Sequence, residues 1–221
     1  MQGALDALKS FIDIVLHLDK HLDAWSLSMG PWLYVVLFAI VFCETGLVVT
    51  PFLPGDSLLF ACGVLAARPG SGIDVTWLIA VLLAAAVLGD AVNYSIGAAI
   101  GKRVLDKKPR WLNPKHIERT QEFYAKHGGK TIMFARFVPI IRTFAPFVAG
   151  MGRMGYRRFA MFNVAGAIAW VVGLVLLGYR FADTDVVRHN FQLVVLAIIV
   201  ISILPGVFEF LRARREAKQP G

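Results

Sequence analysis

The sequence predicts an all-α polytopic integral membrane protein, with about four transmembrane helices and two proline-broken re-entrant hairpins in an inverted-topology repeat. Three observations carry this expectation. Hydrophobic residues make up 57% of the 221-residue chain and charged residues only 17%, against about 45–50% and about 25% in a soluble domain. The apolar residues lie in long runs at 32–42, 77–88, 159–177 and 191–204, and a spanning helix needs about 20 mostly apolar residues. Sixteen of the 23 lysines and arginines fall in 102–130, 153–158 and 212–218, beside those runs. That is a positive-inside distribution facing anionic lipid head groups, not a nucleic-acid surface, despite the net charge of +8. The same numbers exclude a disordered chain and argue against a soluble enzyme.

Residues 1–29 read as an amphipathic helix on the membrane surface, with Leu5, Leu8, Ile12, Val15 and Leu22 on one face. No cleavage site follows an apolar run there, so no secretory signal is expected. Pro31 suits the first turn of a helix over 31–43. The next stretch holds Glu44, Asp56, Pro51, Pro54, Gly46 and Gly55. Prolines remove backbone donors, and broken backbone at membrane depth survives only under a protein or water-filled cover. Residues 45–67 are therefore expected to form a re-entrant hairpin. A surface turn at 68–74 leads to a span over 75–101.

Residues 102–130 are basic, with a short amphipathic helix opened by Asn113 and Pro114 and stopped at Gly128 and Gly129. The broken pattern then repeats over 131–152, shaped by Pro139, Pro146 and Gly150. Spans over 159–179 and 190–211 follow, separated by a polar loop near 183–185. The chain thus divides into the surface helix (1–29), a transport core (30–182), and a last helix with a basic tail (183–221).

Phe60-Ala-Cys-Gly63 resembles Phe147-Val-Ala-Gly150, each closing a broken hairpin. Each is followed by a span with spaced glycines, at 89, 97 and 101 and at 166, 173 and 178, which allow close helix approach. With the basic segments inside, the first hairpin opens outward and the second inward. Paired broken segments of opposite orientation point to a transporter's central site.

The ionisable residues in these segments are the candidates: Glu44, Asp56 and Asp90 as proton carriers, and Arg136 and Arg142 as an anion site. Intramembrane charges are expensive and default to function. Arginine stays protonated and offers a planar fork to phosphate. Asn93, Tyr94 and Asn163 are accessory polar candidates, whereas Trp170 reads more as packing than as a contact. Cys43 and Cys62 read as buried thiols. The pair His17 and His21 is too small a signal for a metal site. No metal or other cofactor is expected, and no hydrolase, nucleotide-loop or zinc-protease motif occurs.

The ordered set Glu44-x-Gly46, Pro51-x-x-Pro54-Gly-Asp56, Gly89-Asp90-x-x-x-Tyr94, Arg136-Phe-x-Pro139-x-x-Arg142-x-x-x-Pro146 and Asn163-x-x-Gly166-x-x-x-Trp170 resembles the DedA family of bacterial inner-membrane proteins, related to VTT-domain scramblases. The resemblance covers about 40–180. It implies proton-motive-force-coupled transport of a lipid phosphate, undecaprenyl phosphate foremost, for recycling of the envelope lipid carrier. It also implies that Glu44, Asp56, Arg136 and Arg142 are the essential residues. The partners expected are the lipid phosphate and protons, with anionic lipids from the charge distribution; whether the chain forms a homo-oligomer is left open by the sequence. A proton-coupled cation antiporter, a passive scramblase and a non-transporting scaffold are the alternatives. Two fixed positive charges bring nothing to a cation site, and a scaffold needs no broken hairpins.

The charge rule makes a topological prediction: both termini and 110–120 cytoplasmic, 183–189 outside. Cysteines placed at these positions and labelled from either face report it. Labelling of 110–120 only from outside would overturn the inverted repeat.

Overall fold

The structure, a computed structural model, describes residues 21, 24, 25, 28–47, 55–107 and 129–216. Its elements in chain order are α1 (Trp32–Gly46), α2 (Gly55–Ala67), α3 (Val75–Lys107), α4 (Lys130–Ala135), α5 (Pro139–Met151), α6 (Tyr156–Phe181) and α7 (Asp185–Glu216). Most of the expected surface helix, Pro51 and Pro54, the helix opened by Asn113 and the residues after 216 lie outside the described residues.

Local chemistry sets most boundaries. Asp74 Oδ1 accepts the backbone N–H groups of Thr76 (2.8 Å) and Trp77 (2.9 Å), which fixes the start of α3. The residue before a proline is pushed out of the helical region. Val138 accordingly sits at φ −115°, ψ 108°, which separates α4 from α5, and Pro139 opens α5. The second expected hairpin is thus two helices joined at Arg136-Phe137-Val138.

Two boundaries and the lengths of two spans differ from expectation. Helix α1 continues past Cys43 to Gly46 and carries Glu44 and Thr45 in its last turn. Nothing before Gly46 breaks helical hydrogen bonding, and the Leu47 N–H still closes on the Cys43 carbonyl. Helix α7 begins at Asp185, and Asn190, the expected start, is instead a kink at φ −130°, ψ 36°. Two of the four expected spans, Val75–Lys102 and Tyr156–Phe181, are long and apolar enough to cross a bilayer. The remaining apolar helices, Trp32–Gly46, Gly55–Ala67 and His189–Ile201, are shorter; the 15 residues of α1 extend about 22 Å at ~1.5 Å per residue.

The packing is inverted relative to a soluble protein. Helix α3 exposes Leu88, Val92, Ile96 and Ile100 at four-residue spacing while burying Asp90 and Asn93. Helix α6 exposes Met161, Val164 and Ile168 while burying Asn163 and Trp170. An apolar exterior over a polar interior suits a hydrocarbon solvent. One apolar core joins α1, α2, α3, α6 and α7. A second gathers Tyr94, Ile132, Ala135, Ala145, Ala149, Met154 and Phe159. Along α3, Asp90 and Asn93 fall between the two.

The two glycine-lined helix pairs make contacts of the same kind. A side-chain carbon added at Gly63 would meet the Val175 carbonyl, and one at Gly178 the Phe60 carbonyl, so α2 lies backbone to backbone on α6. In the other pair, Gly150 faces the Tyr94 carbonyl and Gly97 the Phe147 carbonyl, so α5 lies the same way on α3. Phe60–Gly63 and Phe147–Gly150 therefore occupy equivalent places. Each long helix packs on the broken segment of the other half. It also packs within its own half, α3 on α1 and α6 on α4.

These contacts predict unequal glycine tolerance. Gly63→Val and Gly150→Val force a branched side chain onto backbone, and overpacking costs about 1–3 kcal/mol. Among the described residues nothing lies within 4 Å of a carbon added at Gly173, so Gly173→Ala should leave stability unchanged or raise it by about 0.5–1 kcal/mol. Thermal unfolding in detergent tests this; equal effects at Gly63 and Gly173 would refute the contact argument.

Candidate functional site

Buried charge concentrates where the two halves meet. Arg136, at the break after α4, and Arg142, in the first turns of α5, are 5% and 9% exposed. Neither can lose its proton, so each needs counter-charge from elsewhere in the fold. Arg142 finds it in the first half: its Nη2 pairs with Glu44 Oε1 at the end of α1, and its Nη1 lies 2.7 Å from Asp56 Oδ1 in the first turn of α2. The start of a helix favours an acid there. Arg136 pairs through Nη2 with Asp90 Oδ2 of α3 at 3.0 Å. The same guanidinium donates to the Ala86 carbonyl (3.2 Å) and to both the carbonyl and Oδ1 of Asn163 (3.0 and 2.9 Å).

Two asparagines close the surrounding backbone. Asn93 Nδ2 donates to the carbonyls of Thr45 (3.0 Å) and Thr143 (2.7 Å), tying the end of α1 to α5 through α3. Those carbonyls sit beside helix defects: α1 ends at Gly46, and Pro146 has no N–H for the turn of α5 around Arg142 and Thr143. Asn163 Nδ2 donates to the Val87 carbonyl at 3.1 Å, tying α6 to α3.

Trp170 is the residue whose part the sequence underestimated. Its indole N–H donates to Asp56 Oδ1 at 2.7 Å. Its ring lies under both guanidinium groups, 4.9 Å from Arg142 Cζ and 5.5 Å from Arg136 Cζ. The available signal was its position seven residues after Asn163, on the same helical face. Thr45 and Thr143 were not legible, because they contribute backbone carbonyls. Tyr94 does not join the cluster. One residue beyond Asn93, it turns to the other side of α3, stacks on Phe159 at 4.4 Å and donates its hydroxyl to the Met154 carbonyl.

The hairpin-shaping residues divide by place. Pro139 and Pro146 shape α5, Gly150 gives α5 its close approach to α3, and Gly55 lies against Glu44, where any side chain would collide with the carboxylate. Cys62 is buried and Cys43 half-buried, and neither is in a disulfide. Three polar atoms in the cluster, Glu44 Oε2, Asn93 Oδ1 and Arg142 Nε, make no hydrogen bond of normal geometry. A cavity of about 10 Å³ opens among Thr45, Asp90, Ile132, Arg136, Arg142 and Pro146, room for about one water. Three carboxylates thus enclose two guanidinium groups with no space for a further anion in this arrangement.

A cluster of buried acids and arginines inside an apolar-faced helix bundle defines a helical membrane protein with a polar interior. The chain belongs to the DedA family, and residues 53–180 match the VTT domain. It is 50% identical over 214 residues to Protein DedA of Escherichia coli (strain K12), covering 96% of this chain and 98% of that protein. It is 41% identical over 187 residues, 83% and 82% of the two chains, to the uncharacterized membrane protein Rv0364 of Mycobacterium tuberculosis. It is 39% identical over 162 residues, 72% of each chain, to the inner membrane protein YqjA of Escherichia coli (strain K12). No solved structure matches.

The geometry predicts a measurable part for the indole N–H. Trp170→Phe keeps a ring under both arginines but removes the donor to Asp56, and a hydrogen bond to a charged group is worth about 1.5–3 kcal/mol. Trp170→Leu should lose about 0.5–2 kcal/mol more with the cation–π contacts. Denaturant unfolding in detergent measures both; an unaltered Trp170→Phe would remove the indole from the cluster.

Proposed function

We propose that this protein moves a lipid phosphate, undecaprenyl phosphate foremost, across the bacterial inner membrane in a cycle coupled to protons, without acting as an enzyme. The observation that carries the reading is the pair of buried arginines held by carboxylates from the other half. Structure alone gives little reason for such a cluster, since apolar residues of similar volume often replace a buried ion pair at no loss of stability. Phosphate gives a reason. It matches the planar fork of Arg136 and Arg142 and can take the place that the carboxylates hold. In this reading the acids keep the arginines paired while the site is empty. The two broken segments form the re-entrant hairpins, and the halves form the inverted repeat around them.

Charge balance supplies the coupling. Three carboxylates already outnumber two guanidinium groups. An entering phosphate adds negative charge to a low-dielectric space, so protons accompany it onto the displaced acids. By linkage, lower pH tightens phosphate binding.

A proton-coupled cation antiporter is the second reading. It is favoured by the same pairing, which leaves both arginines already neutralised as internal counter-charges.

The test is leaflet exchange of undecaprenyl phosphate in liposomes holding purified protein, with and without a pH gradient. Glu44→Gln should retain head-group binding and lose the response to the gradient. Arg136→Lys should lose most of the exchange, about tenfold or more, because lysine keeps the charge but not the fork. Gradient-driven cation flux without lipid exchange would select the antiporter, and exchange indifferent to the gradient a passive scramblase.

A further inference from the structure

A second cavity, of about 470 Å³, lies between α6 and α7. Asp56 and Trp170 form its polar end, and Phe137, Gly173, Leu177 and Ile201 are among its apolar walls. Leu177 and Ile201 are exposed, so the cavity borders the apolar outer surface. Asp56 is the member of the ion cluster that reaches this space. Its side chain is 17% exposed, against 1–8% for Glu44, Asp90, Arg136 and Arg142. A continuous line therefore runs from the lipid-facing surface, along an apolar wall, to Asp56 and then to Arg142, 2.7 Å behind it.

Gly173 is the independent sign that the groove is built for an occupant. A glycine within a helix is destabilising relative to alanine. Of the other spaced glycines of α6, Gly178 has a packing reason, since a carbon added there would meet the Phe60 carbonyl, and a carbon added at Gly166 would be in ordinary contact, 3.4 Å from Met133 Cα. Gly173 has no such neighbour among the described residues; it faces the cavity. The sequence pattern grouped it with the helix-packing glycines, and the fold separates it from them. A residue kept small beside an amphiphilic groove leaves its backbone open to a ligand.

We propose that this groove seats one hydrocarbon chain of the transported lipid phosphate along Gly173, so that the head group reaches Arg142 laterally through the place held by Asp56. The inference rests on the lipid-phosphate reading above and adds to it the chain site and the route. The charge order fits the occupant: apolar walls for the chain, then an acid that gives way, then the arginine that receives the phosphate. The indole of Trp170 borders both compartments, its N–H on Asp56 and its ring under the arginines.

The experiment measures binding of two probes, undecaprenyl phosphate and chainless methyl phosphate, to the full chain in lipid nanodiscs. Gly173→Phe fills the groove from a position where an added side-chain carbon meets nothing within 4 Å among the described residues. It should weaken undecaprenyl phosphate by about tenfold or more, since the ring takes the space and the van der Waals contacts of the seated chain and blocks the lateral approach to Arg142. Methyl phosphate should bind as before. Ile201→Ala, added on the opposite wall, should restore the long-chain probe. Undiminished binding of undecaprenyl phosphate in Gly173→Phe overturns the groove and leaves the lipid-phosphate reading standing. Equal loss of both probes, or loss that Ile201→Ala does not restore, also overturns the groove. Failure of the unaltered protein to bind either phosphate overturns the lipid-phosphate reading itself.

Discussion

Two guanidinium groups that cannot be discharged are held inside a bundle whose outer surface is apolar, and the rest of the structure answers to them. Leaving such charges unpaired in that setting costs several kcal/mol each. The counter-charges come from three helices: the end of α1, the start of α2 and the middle of α3. This requirement explains features that otherwise look unconnected. Helix α1 carries Glu44 in its last turn, Gly55 leaves room for that carboxylate, and Asn163 turns both its backbone and its side-chain oxygen toward Arg136.

The glycine contacts make that arrangement possible. Helices α2 and α5 each lie backbone to backbone on the long helix of the other half, with glycine three residues from the carbonyl that its partner glycine faces. Close approach brings Asp56 toward Arg142 and Trp170, and Arg142 toward Asn93's helix. A bulkier contact at either place would separate the charged groups by more than a hydrogen bond. The halves therefore complete each other, and the ion cluster lies on their seam, between the two apolar cores.

The inventory of charges bears on the chemistry. With acids in excess over arginines and about one water's worth of space, the cluster is a closed arrangement that an anion can join only by displacing a carboxylate. Asp56 stands at the exposed margin of the cluster, while Glu44 and Asp90 are deeply buried. Three chemically similar acids are thus placed unequally, one toward the groove and two toward the interior.

Composition, the charge distribution, the broken hydrophobic segments and the paired Phe-x-x-Gly motifs were legible in the sequence because they are local or periodic. They were enough for the class, the family and the choice of the five charged candidates. Partnership was not legible. That Arg142 takes Glu44 and Asp56 while Arg136 takes Asp90 depends on contacts 46 to 98 residues apart, which no spacing rule reaches. Asn93 and Tyr94 are neighbours in sequence, yet one residue of helical rotation sends the first to the charges and the second to Phe159. Trp170 became part of the site only through its hydrogen bond to Asp56, and Gly173 separated from its helix-packing companions only through what it faces. Sequence by itself determined which residues must be covered, since burial of charge and breaks in backbone are properties of residue type. Tertiary structure decided which of them meet, because pairing depends on which helix faces approach.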